Sequence, residues 1–185
     1  MNYRRWLRDL DPDDRKKELD ELCGGKAGAY EVVRADLPGL TETSGPYQIG
    51  CDLSLEETGL DEGTSRYSLD LQGPWWPVAP DFPSPSRTNN VVFQYPRVDT
   101  VTIDVKAPPG FQSVSAPPPV RIDSPFGRYI LQIRNTETGV HVDRMLALVN
   151  VVVEVPDYAA LRTFLQDAAK HDRTSVVFDS KRAGK

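Results

Sequence analysis

Thr100-Val101-Thr102-Ile103-Asp104-Val105-Lys106 and Arg128-Tyr129-Ile130-Leu131-Gln132-Ile133-Arg134 are the two stretches that decide the fold. In the first, Val101, Ile103 and Val105 alternate with polar neighbours. In the second, Tyr129, Leu131 and Ile133 alternate with Arg128, Ile130, Gln132 and Arg134. A period of two sends successive side chains to opposite faces, so each stretch predicts a strand with one buried face, the habit of antiparallel sheets. The same alternation carries Tyr47, Ile49, Cys51 and Leu53, and again Tyr67, Leu69 and Leu71. Weaker strand patterns cover 29–35, 90–95, 111–115, 119–123 and 140–155. Within the last, Val140, Val142, Leu146 and Leu148 share a phase that Arg144 interrupts, while Val149, Val151, Val153 and Val155 take the opposite phase. A break or bulge near Asn150 follows. Many short strands, sixteen prolines and thirteen glycines predict a mainly β chain, an antiparallel β-sandwich of immunoglobulin-like or related type.

Outside the strands the period changes. Residues 3–23 read as helical, interrupted at Asp11-Pro12, which then serve as N-cap and first position of a second helix with Asp13 and Asp14 at its positive end. Gly24-Gly25 closes that helix. Near the C-terminus, Pro156-Asp157 opens a helix whose apolar stripe is Tyr158, Leu161, Leu165 and Ala168, ending near His171 and packing on the sheet. Thr174 to Asp179 reads as a last strand. The expected organisation is a helical appendage at 1–25, a sandwich domain at 26–180 and a frayed tail at 181–185. Residues 73–90, with their repeated prolines, predict a long extended connection.

Bulk composition narrows the function classes. At 185 residues and 39% hydrophobic content the chain can bury a real core. A formal charge of −5 with scattered basic residues opposes nucleic-acid binding, which needs clustered Lys and Arg. Arg4-Arg5, Arg15-Lys16-Lys17 and Lys181-Arg182 read as solvated helix faces and ends. No stretch approaches the ~20 apolar residues of a membrane span, and the opening residues lack the apolar core of a signal peptide. Cys23 and Cys51 cannot build a disulfide framework. Whether they pair with each other is open at this level.

Each motif with chemical potential has a plainer reading. Cys23-Gly24-Gly25-Lys26-Ala27-Gly28 lacks the first glycine and the Ser/Thr of a phosphate loop and follows a helix, so it reads as a helix stop. Cys51 lies on the apolar side of a strand, the usual place of a small buried thiol. His141 points away from Val140 and Val142, toward solvent, and His171 suits a helix C-terminus. Neither cysteine has a setting that would activate it, so no catalytic residue is assigned. No spacing suits a metal site. Glu56, Glu57, Asp61 and Glu62 around Gly59 and Gly63 lack the ordered alternation of a calcium loop. No cofactor is indicated. The best binding candidates are Trp75, Trp76 and Phe82, aromatics in a proline-rich loop that could stack on a carbohydrate or dock a peptide. Against this, the indoles can cover an open sandwich edge, the stronger reading because tryptophan is costly to leave in water.

Several motifs of the C-terminal half occur together in a known order. They are Val105-Lys106-Ala107-Pro108-Pro109-Gly110-Phe111, Pro119 to Tyr129 with Ser124-Pro125-Phe126-Gly127-Arg128-Tyr129, the strand Val142-Asp143-Arg144-Met145-Leu146-Ala147-Leu148, and the helix Pro156 to Phe164. In this order they resemble the C-terminal region of bacterial transglutaminase-like multidomain proteins. The resemblance spans residues 12–180, since the Asp11-Pro12-Asp13-Asp14-Arg15 helix is similar to the linker after their catalytic domain. It implies that the Cys-His-Asp site lies in an upstream domain none of whose motifs occur in this chain. The expected function is therefore a non-catalytic accessory domain that packs on, or presents substrate to, such a catalytic domain or another protein partner. The resemblance also implies a periplasmic or envelope location. The alternative is a carbohydrate- or peptide-binding module using the Trp75/Trp76 loop.

Overall fold

A computed structural model describes residues 3–24, 31–42, 48–54, 65–73, 76–77, 79–113 and 116–180. Two compact units are present, one comprising Met1–Leu60 with Gly73–Trp75 and the other Asp61–Gln72 with Trp76–Lys185. The boundary expected at 25/26 lies inside the first of these units. The first strand pair belongs with the helices, because its partner strand and its covalent tie both lie in the N-terminal unit.

In the first unit, α1 (Tyr3–Asp9) and α2 (Pro12–Gly24) precede the antiparallel pair β1 (Glu31–Asp36) and β2 (Gly50–Ser54). Asp11 starts α2 as anticipated. Its Oδ1 accepts from the backbone N–H of Asp14 at 2.9 Å and of Asp13 at 3.0 Å, satisfying donors that no helical carbonyl reaches. Those bonds, the one from Asp14 foremost, hold the Asp11 carboxyl below its ordinary range. Arg15 is not merely a solvated helix charge. Its guanidinium donates to the carbonyls of Leu7, Arg8 and Leu10 at 2.8, 3.0 and 2.7 Å and so closes the C-terminus of α1. The apolar centre of the unit is small: Leu7, Leu19, Cys23 and Leu40 are its buried apolar side chains among the described residues. A disulfide between Cys23 and Cys51, with Cα atoms 6.0 Å apart, supplements it. Cys51 is thus cross-linked rather than a free buried thiol.

The second unit is antiparallel throughout. β5 (Arg97–Lys106), β9 (Gly139–Leu148), β8 (Gly127–Asn135) and β7 (Val120–Ser124) form a four-stranded sheet in that spatial order. β3 (Arg66–Asp70), β11 (Ser175–Ser180) and β6 (Phe111–Ser113) form a three-stranded sheet, and β4 (Val91–Val92) pairs with β10 (Val152–Val153). The break near Asn150 separates β9 from β10. Helix α3 (Tyr158–Asp172) follows a single 3₁₀ turn. The alternation read from sequence is the observed burial pattern: Tyr129, Leu131 and Ile133 are buried on β8, opposite Leu146, Arg144 and Val142 of β9. That inner face meets α3, which contacts β7 and β8 and buries Leu161, Phe164, Leu165 and Ala168, and β6 of the second sheet, which contacts β9. The result is a mainly β, sandwich-like arrangement with one C-terminal helix.

Two glycines are required by local geometry. Pro108-Pro109-Gly110-Phe111 is a tight turn closed by Phe111 N–H donating to the Pro108 carbonyl at 3.0 Å, and Gly110 has φ +81°, as a type II turn demands. At Gly127 the constraint is space, since a Cβ there would lie 1.8 Å from the Ala147 carbonyl oxygen. This close approach is what ends the Ser124–Gly127 hairpin on the β9 backbone.

Candidate functional site

The polar side chains of the second unit form two groups, one beneath each face of the four-stranded sheet. On the inner face Arg144 occupies a position that the β9 alternation reserves for an apolar residue. It is accommodated by Asp172, the last residue of α3. Arg144 Nε donates to Asp172 Oδ1 at 3.0 Å and Nη2 to Oδ2 at 2.8 Å, a two-pronged pairing, while the Tyr129 hydroxyl donates to Oδ1 at 2.8 Å. The Arg144 and Asp172 side chains are 0% and 3% exposed. A carboxylate at a helix C-terminus opposes the helix dipole, so Asp172 depends on the guanidinium. Burial, reinforced by the adjacent Asp172 charge, pushes the Tyr129 phenol far above its ordinary range and keeps it a neutral donor. The Arg144 guanidinium carbon lies 5.6 Å from the ring centres of both Trp76 and Tyr129, within cation–π range. His171 stacks on Tyr129 with ring centres 6.5 Å apart. Two buried donors, Arg144 Nη1 and Trp76 Nε1, have no acceptor.

On the outer face His141 bridges two carboxylates. Nδ1 is 2.6 Å from Asp104 Oδ1 on the neighbouring β5, and Nε2 is 3.2 Å from Asp143 Oδ2 two residues along β9. Asp143 also accepts from Arg134 Nη2 at 2.7 Å. The bond to Asp104, with the charge of Asp143, raises the His141 pKa above its ordinary value, against a smaller desolvation effect. A histidine acting as general base needs a nitrogen lone pair directed at a nucleophile, whereas both ring nitrogens here are engaged by carboxylates. The two carboxylates sit on opposite edges of the ring and do not converge on a common point. Among the described residues no group of three or more His, Cys, Asp or Glu side chains could hold a metal ion. Further along the same face, Asp123 accepts from Arg121 at 2.7 Å and Arg128 at 2.5 Å, and both bonds hold its carboxyl below the ordinary range. These groups rim an open concavity of about 610 Å³ floored by Met145, Ala147 and Val149.

Of the three candidate ligand-binding aromatics, Trp76 and Phe82 are 4% and 8% exposed. Trp76 covers Arg144, and Phe82 packs edge-on against Tyr158 with ring centres 5.9 Å apart. The loop is pinned to α3 by Arg162 Nε donating to the Phe82 carbonyl at 2.8 Å and the Tyr158 hydroxyl donating to the Ser84 carbonyl at 2.5 Å. Both rings are therefore packed within the second unit. Trp75, the acidic stretch 56–62 and the Gly25–Gly28 segment lie outside the described residues. The Arg144–Asp172–Tyr129 cluster was not legible as a unit. Arg144 breaking an apolar phase was the signal for it, but its partner lies on another element 28 positions away.

A family model for DUF3858, a domain of unknown function that has solved structures, matches residues 76–178. The chain belongs to the DUF3858 family. The match begins at Trp76 and ends at Phe178, so the DUF3858 region holds the Arg144–Asp172 clamp and the outer-face charges, while β3, Leu71 and the disulfide precede it. Among solved structures, this chain is similar in fold to a candidate protease from Parabacteroides distasonis, with a TM-score of 0.52 and 16% identity over 63% of this chain. This chain spans only 24% of that protein. No curated protein matches the sequence. No helix among the described residues is long and apolar enough to cross a membrane.

Proposed function

We propose that this chain is a non-catalytic accessory module of a longer transglutaminase-like protein, packing against the catalytic domain or presenting substrate to it. The observation that carries the reading is how the reactive side chains are spent. Cys23 and Cys51 are bonded to each other, so neither offers the thiolate that acyl transfer needs. Arg144, Asp172 and Tyr129 are buried and bonded to one another, and both nitrogens of His141 are engaged. These contacts hold elements together and leave no activated nucleophile–base pair among the described residues. The recurrence of the fold as a quarter-length segment of a longer protein fits the same reading, as does the order of the C-terminal motifs. A disulfide fits an oxidising compartment such as the periplasm.

The test compares two proteins, the 185-residue chain and the complete product of its gene, in amide-hydrolysis and acyl-transfer assays with glutamine-containing peptides. Activity is expected only in the longer protein, and its loss is expected on substituting a cysteine outside this chain. Turnover by the 185-residue chain that disappears in His141→Gln would overturn the reading.

A further inference from the structure

Strand β5 closes one end of the four-stranded sheet, and among the described residues only β9 pairs with it. Two hydrogen bonds fix the direction of its remaining backbone groups. Ala107 N–H donates to the Thr138 carbonyl at 2.8 Å, and Val149 N–H donates to the Phe126 carbonyl at 3.0 Å. In an antiparallel ladder successive residues turn their N–H and carbonyl to opposite edges. Carried along the β8–β9 and β5–β9 registers, both bonds give the same alternation. Arg97, Asp99, Val101, Ile103 and Val105 face β9, while Val98, Thr100, Thr102, Asp104 and Lys106 face away from the sheet. The strand runs ten residues without a register shift or a proline, and such an edge is a template for another strand. The opposite edge, β7, is guarded: it has five residues, lies between Pro117-Pro118-Pro119 and Pro125, and contacts α3. On β5 the guard is confined to one end, where Arg97 and Asp99 pair on the inner face at 3.2 Å. Beyond them Val101, Ile103 and Val105 are only half-buried, although their β9 partners Arg144, Val142 and Val140 are at most 2% exposed.

We propose that β5 pairs with β5 of a second copy of this chain, antiparallel about a two-fold axis at Ile103, so that two four-stranded sheets become continuous. Backbone geometry selects a strand as the occupant, because only an extended chain answers a row of alternating donors and acceptors. The sequence selects a second copy, because this edge is complementary to itself. A ladder forms only where outward-facing residues meet outward-facing residues, so even-numbered positions pair with even-numbered ones and both inner faces lie on one side. With Ile103 opposite its own copy, Thr102 meets Asp104, Thr100 meets Lys106 and Val101 meets Val105. The half-exposed apolar side chains then cover one another, and no like charges stand directly opposite. The Arg97–Asp99 end lies outside the paired stretch. Moving the axis to Thr102, Val101 or Thr100 sets the Asp99 carboxylate against Val105, Ile103 or Val101, and moving it to Asp104 sets two carboxylates face to face. In the favoured register Thr100, Thr102, Asp104 and Lys106 of each copy give and receive one bond each. The resulting total of about eight hydrogen bonds is within the range of a typical protein interface.

Sedimentation velocity of the 185-residue chain over a concentration series tests this, and a monomer–dimer equilibrium is expected. Thr102→Pro removes an N–H that points away from β9, a placement that proline tolerates on an edge strand. It deletes two bonds of the symmetric ladder, so the dimer dissociation constant should rise on the order of tenfold or more. Thr100→Lys sets a cation opposite Lys106 of the second copy and should weaken the dimer severalfold. Thr100→Glu, at the same position, should leave the dimer as tight or tighter. Both Thr100 variants alter an exposed side chain opposite Met145 in the ladder, so they decide the matter even where Thr102→Pro does not fold. A chain that stays monomeric throughout the series overturns the proposal. So does a dimer that tolerates Thr102→Pro and does not distinguish Thr100→Lys from Thr100→Glu, since its contact then lies on another surface.

Discussion

His141 shows most plainly how a side chain's surroundings decide its role. Its imidazolium donates to Asp104 and Asp143, with Arg134 completing the group on Asp143, so protonation is favoured in the folded state. A histidine whose folded pKa is raised contributes stability that is fully present below its unfolded value of about 6.5 and is lost as pH rises through the folded value. The midpoint of thermal unfolding should therefore decline from pH 6 upward, and His141→Gln should flatten that part of the profile. The dependence should shrink at high salt, because the partly exposed pair is screened. Asp11 has the opposite sign. Its lowered pKa makes its capping contribution present above the ordinary carboxylate range and lost as pH falls through the depressed value. From the sequence, the outward direction of His141 and the capping role of Asp11 could both be read, because each follows from local period and position. The carboxylates flanking His141 could not, since Asp104 reaches it only through the β5–β9 register.

Elements divide in the same way between local and long-range causes. Strand positions, the break after β9 and the start of α3 were legible because alternation, helical spacing and proline act within a few residues. Pairing partners were not, and β1 and β2, expected in a single sandwich, lie in the N-terminal unit with the helices. The sequence leaves open whether Cys23 and Cys51 pair, because nothing in a separation of 28 residues fixes their distance. In the structure they staple α2 to β2 in a unit with few buried apolar side chains. Closing a loop of that length is worth about 3–4 kcal/mol, a large share of what so small a core supplies. Reduction, or Cys23→Ser with Cys51→Ser, is expected to raise amide hydrogen exchange across Pro12–Gly24 and Glu31–Ser54 by orders of magnitude. Unchanged protection there would show that the helices and the β1–β2 pair hold without the cross-link.

Across the whole molecule, polar side chains are consumed in assembling the fold, while exposed apolar side chains gather on Val92, Tyr95, Val98, Val149, Val151 and Val152. The aromatic loop illustrates the first half, since Trp76 and Phe82, the residues most suggestive of a ligand in the sequence, are the cover of a buried ion pair and of α3. The Arg144–Asp172 clamp is where this claim is most exposed to test. If it is structural, removing one partner leaves an uncompensated buried charge, whereas replacing both with apolar residues relieves it. The decisive measurement is denaturant unfolding of wild type, Arg144→Met, Asp172→Leu and the double variant. Each single change is predicted to cost about 3–5 kcal/mol, and the double variant to recover much of that loss. Single variants that unfold at the wild-type denaturant concentration would contradict the account and mark the cluster as held ready for a ligand instead.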